Sequence, residues 1–399
     1  MSKTNVTVRS GYKDIFAFGK LISVRKGIIA QANEAPLPKD YAVNKTARAL
    51  HPEVQHMVIS KVVPIAPDIK SYVLSPDISQ GTTVCAYFRA GQYLSVRINI
   101  GGALITRPYS ISSSPARSLD GEYIITVKRI QDGFASDYIL DNWRTGTKVD
   151  VSAPEGNFCY EPLRDAKTIV GVAGGSGITP FLSIAQAIAD GTENARLVLL
   201  YGCRSRKDAI FSDLLDELQE RCDKIRVVYV FSDEKVSDAE RGFVTRKIIE
   251  KYSPEKYSLF VCGPAALYKF IAGETADMGI EPKYIRYEMF GEIKNPSSLR
   301  GFPAEALGKT VNCKLMHRGD EIASFSCSCE ESLLTSLERA GVEIPSGCRS
   351  GECGICRARL FSGAVFIPRE ADRRRLADAR YGYIHPCMSY PTKDITVII

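Results

Sequence analysis

No apolar run in this 399-residue sequence approaches the ~20 residues that a membrane-crossing helix needs, so no spanning segment is expected. No secretory leader is expected either: Ile15 to Val24 is broken by Lys20, and no small-residue cleavage site is convincing. The default compartment is therefore the cytoplasm. Histidine is scarce, with four in the whole chain, which offers little material for a histidine-based acid–base site. Net charge is absent from most of the sequence. Residues 1–52 hold nine Lys/Arg and three Asp/Glu, which accounts for the whole formal charge of +6. The neutral remainder gives no support for nucleic-acid binding, which would need basic residues clustered on a folded face. The basic extension, residues 1–53, shows no repeat, low-complexity tract or recognisable motif. A docking arm, an oligomerisation element and a partly ordered tail are all open, with a solvated or structural role favoured.

Cysteine, by contrast, is plentiful, with twelve in the chain. Near the C-terminus stands Cys348-Arg-Ser-Gly-Glu-Cys353-Gly-Ile-Cys356, followed by Cys387 in Tyr-Ile-His-Pro-Cys. C-x4-C-x2-C with a distant fourth cysteine is the plant-type [2Fe–2S] spacing. Four thiolates must converge on two irons, and the interleaved Gly347, Gly351 and Gly354 let backbone N–H groups approach the sulfurs. A structural zinc site usually takes two short C-x-x-C knuckles, and only one is present. A disulfide pair is the weaker alternative. The other cysteines are scattered and read as mostly buried thiols, apart from Cys262.

The length suits two to three domains, and 45% hydrophobic with 25% charged residues is ordinary for a globular protein. From residue 54 to 160 short β-type runs are broken by turns: Met57 to Val63, Ser71 to Leu74, Tyr93 to Ile98 and Tyr123 to Ile130. This pattern predicts a small antiparallel β-barrel. From 161 to 291 strand and helix alternate, with strands at Thr168 to Ala173, Arg196 to Tyr201, Ile225 to Phe231 and Tyr257 to Cys262, and helices at Pro180 to Ala189 and Phe211 to Arg221. That alternation predicts an α/β domain with a parallel sheet. Residues 292–308 read as a linker. Residues 309–399 read as a third, α+β unit with a hairpin, a helix at Glu331 to Ala340, the cysteine loop and a final strand, Ile395 to Ile399.

Four further motifs carry chemistry. Arg107-Pro108-Tyr109-Ser110 lies on a barrel strand: the guanidinium suits a phosphate, the ring suits stacking on an isoalloxazine, and the serine suits a ring nitrogen. Gly133-Phe134-Ala135-Ser136 lies where a helix begins, a place for a phosphate or pyrophosphate. The run Gly174-Gly175-Ser176-Gly177-Ile-Thr179-Pro180 follows a strand and opens a helix, the context of a phosphate loop, though it is not the G-x-G-x-x-G fingerprint. Cys262-Gly263-Pro264 ends a later strand, where α/β folds face their ligands, so Cys262 could lie beside a nicotinamide and Gly263 could leave room for it. The bland readings are a surface turn, a structural barrel, a tight glycine turn and a buried cysteine. The occurrence of all of them in one chain favours the functional set.

From Val54 to Ile399 the chain resembles a ferredoxin–NADP reductase-type flavoprotein with a C-terminal plant-type, β-grasp ferredoxin domain. It is similar to the reductase components of multicomponent oxygenases and related NADH oxidoreductases. The resemblance implies that Arg107 to Ser110 and the strand residues Thr126, Val127 and Lys128 line the flavin, and that Gly133 to Ser136 receive its phosphates. It further implies that Gly175, Ser176, Gly177 and Thr179 receive the nicotinamide nucleotide. Glu288-Met289-Phe290 matches the family's E-x-F, so Ser110, Cys262 and Glu288 would surround flavin N5 and nicotinamide C4. The implied activity is that of an NAD(P)H:acceptor oxidoreductase: a hydride passes from nicotinamide to flavin, and single electrons pass through the cluster to a separate protein, with a terminal oxygenase expected. An anaerobic reductase or a methyl-transfer system could equally accept them. An electron carrier with a vestigial flavin domain is the reading from another class, and the intact nucleotide motifs oppose it.

The G-x-x-S turn and the R-P-Y-S form favour FAD over FMN. Arg204-Ser-Arg206-Lys207 stands where a 2′-phosphate would lie and argues for NADPH. Asp208 and the habit of the class argue for NADH, which is the preferred expectation. Arg369, Arg373, Arg374, Arg375 and Arg380 lie between Cys356 and Cys387, tempered by Glu370, Asp372 and Asp378. A solvated helix face is the ordinary reading, and a docking patch for an acidic acceptor is the sharper one.

Overall fold

The computed structural model describes residue 11 and residues 13–32, 41–130 and 133–399. Two compact units are distinguished, Met1–Ala47 and Arg48–Ile399. In the first, α1 (Lys13–Ala30) carries Phe16, Phe18, Leu21, Ile22, Val24, Ile28 and Ile29, all exposed. A second helix, α2 (Ala42–Leu50), follows. The rest of the basic extension, residues 1–10, 12 and 33–40, lies outside the described residues.

Among the described residues, the second unit contains three large sheets and one two-stranded ladder. Strands β1 (Gln55–Ala66), β2 (Ile69–Pro76), β3 (Tyr93–Ile100), β4 (Ala103–Ser110), β5 (Tyr123–Lys128) and β6 (Lys148–Val151) form the first, with short helix α3 (Ala116–Leu119) and helix α4 (Phe134–Asn142) attached. Every pairing is antiparallel, in the order β4-β3-β6-β1-β2-β5. Just past β4, Ile111 bridges Ile125 on β5 and Ser112 N–H donates to the Ile124 carbonyl at 2.8 Å, so the two end strands meet. This is the expected antiparallel barrel. Alternating side chains such as Met57, Ile59, Leu94, Val96, Ile125 and Val127 fill it, as period-two strands require.

The second sheet is parallel, built from β7 (Thr168–Gly174), β8 (Arg196–Cys203), β9 (Ile225–Phe231), β10 (Glu240–Arg241), β11 (Ser258–Cys262) and β12 (Ile285–Glu288) in the order β10-β9-β8-β7-β11-β12. Its strands are nearly continuous apolar runs because both faces are covered. Helices α5 (Thr179–Ala189) and α6 (Ser212–Arg221) share one core, and α7 (Arg246–Tyr252) and α8 (Ala265–Thr275) share the other. The strand order reverses between β7 and β11. The crevice beyond such strand ends is where open α/β sheets hold ligands, and the Gly174–Gly177 and Cys262–Pro264 segments lie there.

The third sheet contains β13 (Thr310–His317), β14 (Asp320–Ser328), β15 (Ala358–Ser362), β17 (Tyr383–Ile384) and β19 (Ile395–Ile398) in the order β14-β13-β19-β15-β17, with β13 and β19 parallel. A minor ladder joins β16 (Val365–Phe366) to β18 (Tyr390–Pro391). Helix α9 (Leu333–Arg339) buries Leu333 and Leu337 against the sheet and starts at Ser332, whose hydroxyl accepts from Thr335 N–H at 3.1 Å. Helix α10 (Leu376–Arg380) follows the cysteine loop. This is the expected β-grasp arrangement. The stretch read as a linker holds two short 3₁₀ turns, Pro296–Ser298 and Ala304–Ala306, with Pro296 and Ala306 buried.

The barrel and the parallel sheet are joined by polar contacts. Ser183 and Gln186 on α5 donate to the carbonyls of Ser113 and Ser112, at 2.7 and 2.9 Å. Asp165, between the two sheets, is buried, pairs with Arg286 on β12 and accepts from Glu161 N–H at 2.7 Å. Removing one partner of a buried pair leaves an uncompensated charge. Asp165→Ala should therefore lower stability by about 3 kcal/mol in chemical unfolding, and a loss below about 1 kcal/mol would contradict this role.

Candidate redox centre

Strand β4 delivers Ser110, β11 delivers Cys262 and β12 delivers Glu288 to one corner. Cys262 and Glu288 are adjacent in the parallel register, and Ser110 Oγ donates to Glu288 Oε2 at 3.1 Å. All three are buried. Burial holds the Glu288 carboxyl well above the usual carboxylate range, against the opposing pull of the Ser110 hydroxyl. Burial first, and then Glu288, raises the Cys262 thiol. Tyr268 accepts from Gly263 N–H at 3.0 Å and donates to the Glu288 carbonyl, which ties the two strand ends together. The structure thus assembles the three residues expected at the reacting centre.

The glycine loop meets this corner from the other side. A Cβ at Gly177 would lie 2.2 Å from the Cys262 carbonyl oxygen and 2.6 Å from Gly263 Cα, so only glycine permits the approach. Thr179 Oγ1 donates to the Ser176 carbonyl at 3.2 Å and Tyr201 Oη donates to the Gly175 carbonyl at 3.2 Å, while Ser176 itself stays exposed. Pro180 near the start of α5 suits its fixed φ. Backbone N–H groups at this helix start provide an anion cradle.

Other expected cofactor residues have varied settings. Tyr109 is half-buried beside Pro108 and the core-facing side of β4. Thr126 shares its hydroxyl with Ser71 at 2.9 Å and Ser112 at 3.2 Å; Val127 is in the core, and Lys128 is exposed. Phe134 is exposed, Ala135 is buried, and Ser136 Oγ accepts from Ile130 N–H at 3.2 Å and donates to the Gly133 carbonyl at 3.3 Å. Ser136 therefore shapes its turn as well as bordering it. Arg107 faces Glu338 of α9 at 3.3 Å. Arg204 is exposed with Asp233 at 3.4 Å, and Arg206 lies over Tyr229 and Phe231 with Asp238 at 2.7 Å. Pro264 caps α8.

The four C-terminal cysteines converge in two pairs. Cys356 Sγ and Cys387 Sγ are 3.5 Å apart, and the Cys348 and Cys353 thiols are in hydrogen-bond contact. Among the described residues, no three His, Cys, Asp or Glu side chains gather round a single-ion site. Two pairs suit two irons better than one zinc. Ser350 and Cys353 N–H groups donate to Cys348 Sγ at 3.4 and 3.3 Å; the Cys353 thiol first, and then these N–H groups, lower the Cys348 thiol against the opposing effect of burial. Gly351 has φ +84, and a Cβ there would meet the Ala371 carbonyl oxygen at 2.9 Å; Gly354 is also left-handed. The buried His385 donates from Nδ1 to the Gly351 carbonyl at 2.7 Å, bracing the loop. Cys353 is the exposed thiol of the four.

Sequence reasoning named Phe290 but missed the other residues that join the corner to this loop. Phe290 packs edge-on against Tyr93, with centroids 5.2 Å apart. Gly291 N–H donates to the Cys348 carbonyl at 3.4 Å, and Glu292 pairs with Arg349. Glu155 accepts from Ser95 at 2.9 Å, and its carboxylate lies 2.9 Å from where a Gly347 Cβ would stand. Only the cysteine spacing hinted at this neighbourhood, since these contacts join distant segments.

Comparison with known proteins agrees with this layout. The oxidoreductase FAD-binding domain model matches residues 56–160, the oxidoreductase NAD-binding domain model residues 172–273, and the 2Fe-2S iron-sulfur cluster binding domain model residues 318–392. The chain is 26% identical over 350 residues to the glycine betaine monooxygenase reductase subunit of Pseudomonas aeruginosa, covering 84% of this chain and 93% of that one. It is 29% identical over 347 residues to the ferredoxin reductase component of 3-ketosteroid-9-alpha-monooxygenase from Rhodococcus rhodochrous, covering 85% and 94%. The structure of phthalate dioxygenase reductase superimposes with a TM-score of 0.62 at 26% identity, covering 87% of this chain and 98% of that one. The fold and site define an iron–sulfur flavoprotein oxidoreductase. The chain combines FAD-binding, NAD-binding and 2Fe-2S domains and is similar to ferredoxin–NADP reductase-type flavoproteins with a C-terminal 2Fe-2S domain; it carries electrons from NAD(P)H through FAD to the cluster.

Two measurements check the centre. The purified protein should contain two irons and two labile sulfides per chain; stoichiometric zinc without sulfide would refute the thiol assignment. Because the folded-state pKa of Glu288 is raised, its protonated form favours folding, and stability is lost as pH rises through that pKa. The melting temperature of Glu288→Gln, minus that of the parent, should grow from pH 5 to pH 9, whereas a constant difference would contradict the buried neutral carboxyl.

Proposed function

We propose that the protein is the cytoplasmic reductase component of a multicomponent oxygenase, oxidising NADH and delivering electrons to a separate, acidic-faced partner. The supporting observation for the exit side is the setting of Cys353. This exposed thiol borders a cavity of about 550 Å³ lined by Glu352, Ile355, Arg357, Arg373 and Arg375. The run expected to form a docking patch is only partly available. Arg374 is held by Asp372 at 2.8 Å and by the Tyr383 carbonyl at 3.2 Å, and Arg375 shares Asp378 with Arg357. Exposed Arg373 and the 91% exposed Leu376 supply the charge and the apolar contact that a transient partner would meet. The relatives named above are reductase components of oxygenases, which is why an oxygenase is the proposed acceptor.

On the entry side, FAD and the nucleotide supply hydride acceptance and one-electron release when bound. The chain supplies binding and orientation. In this reading Tyr109 and Ser110 with Thr126 to Lys128 hold the flavin ring, and Gly133 to Ser136 approach its phosphates. Gly175 to Thr179 hold the nucleotide phosphates, and Cys262 to Pro264 leave room for the nicotinamide. Ser110 and Glu288 fix the corner through their hydrogen bond, and Phe290 closes it. Cys348, Cys353, Cys356 and Cys387 hold the cluster. Each NADH yields NAD+, one proton and two electrons, enough to reduce two one-electron acceptors.

NADH is favoured because Asp233 and Asp238 already face Arg204 and Arg206, and the Arg206 N–H donates to Glu234 Oε2 at 2.7 Å. A 2′-phosphate would have to displace these carboxylates. NADH should exceed NADPH in kcat/KM by about tenfold or more, equivalent to about 1.4 kcal/mol; parity would count against it. Arg373→Glu should slow reduction of the protein acceptor and leave NADH-driven ferricyanide reduction unchanged. Equal rates with the acceptor would remove the docking reading.

A further inference from the structure

The flavin-binding barrel and the ferredoxin domain meet through a buried ion network that neither the nucleotide site nor the thiol set requires. Thr106 lies on β4, four residues before Ser110, and β4 is the end strand in the order of its sheet. Its N–H donates to Glu338 Oε1 at 3.1 Å, and its carbonyl accepts from Arg349 Nη1 at 3.2 Å. Arg349 Nη1 also donates to Glu338 Oε1 at 2.6 Å. A glutamate–arginine pair from another domain thus takes both backbone groups of an edge-strand residue, the place where a further strand would otherwise pair.

The network is enclosed and balanced. The Glu338 and Arg349 side chains are 8% and 2% exposed. Arg107 Nη1 reaches Glu338 Oε2 at 3.3 Å, Arg349 Nη2 pairs with Glu292 and donates to Thr335 Oγ1 at 3.1 Å, and Thr335 in turn donates to Glu292 at 2.7 Å. Two carboxylates therefore face two guanidiniums. Arg349 directly follows Cys348 and sits at φ +56, a left-handed conformation rare outside glycine. The conformation aims its side chain at the barrel while the preceding thiol turns into the cluster loop.

We propose that Glu338 is a positioning residue for electron transfer between flavin and cluster. With Arg349 it docks the cluster loop on the strand that carries Tyr109 and Ser110, so the separation of the two redox groups is set by this ion network. The proposal rests on the electron route above. Neutralising Glu338 leaves two buried guanidiniums facing one carboxylate, which opposes docking of the domains.

The test uses the full-length holoprotein with Glu338→Gln, which keeps an acceptor for Thr106 N–H, and Glu338→Ala. Iron and sulfide content should match the parent, and NADH-driven ferricyanide reduction should be unchanged. Cluster bleaching by NADH in stopped flow should slow by about tenfold or more, as loss of positioning predicts. Independently of activity, the radius of gyration from solution X-ray scattering should increase, and proteolysis within residues 292–308 should accelerate. Restoration of both readouts by Glu338→Asp would support a charge-based clamp. Parental bleaching rates and scattering in both the Gln and Ala variants would overturn the proposal. So would loss of the cluster with unchanged scattering, because Glu338 would then act within the ferredoxin domain alone. If the parent itself fails to pass electrons from NADH to the cluster, the electron route fails, while the scattering still judges the clamp.

Discussion

The hydrogen bond between Ser110 and Glu288 joins two domains of different architecture at a corner where both present strand ends. Ser110 closes β4 of an antiparallel barrel and Glu288 closes β12 of a parallel sheet. Burial keeps the carboxyl protonated over a wider pH range than an exposed glutamate, so the corner can be closed without leaving an unpaired charge. Much else is arranged around this contact. Cys262 sits beside Glu288 in register, Tyr268 ties both strand ends, and Gly177 approaches Cys262 closely enough to exclude any side chain. Three residues beyond Glu288, Gly291 bonds to the Cys348 backbone, and Glu292 pairs with Arg349. A five-residue segment thus spans the distance from the Ser110–Glu288 corner to the cysteine loop.

That continuity accounts for the order of domains. A cofactor that exchanges electrons in pairs must lie between one that delivers a hydride and one that takes single electrons. The barrel occupies the middle because its β4 strand touches both neighbours. Ser110 faces the nucleotide domain, and Thr106, four residues earlier on the strand, faces the ferredoxin domain. The exposed Cys353 and its arginine-bordered cavity lie on the cysteine loop itself.

The legible part of the molecule was the part written in local sequence. Period-two runs announced the barrel, strand–helix alternation announced the parallel sheet, and Cys348 to Cys356 with Cys387 announced the cluster loop. Glycine-rich Gly174 to Gly177 and Cys262 to Pro264 were readable because close backbone approach demands residues without bulk. What joins the domains was not readable. Arg107 looked like a phosphate ligand by its motif and is turned toward Glu338, while Arg349, to which the cysteine spacing assigns no role, is almost fully buried. Charge patterns are degenerate in sequence, because an arginine is equally suited to a phosphate, a solvent-facing helix or a carboxylate from a segment more than two hundred residues away. The arginine run after Cys356 shows the same ambiguity: part is consumed by Asp372 and Asp378, and part remains exposed.

The most direct test of the central claim is rapid mixing of the anaerobic holoprotein with NADH at several protein concentrations, following flavin absorbance and the paramagnetic signal of the reduced cluster. The account predicts that flavin absorbance falls first and that the cluster signal follows at a rate independent of protein concentration, because the electron crosses within one chain. A cluster signal whose rate scales with protein concentration, or that precedes the loss of flavin absorbance, would contradict it.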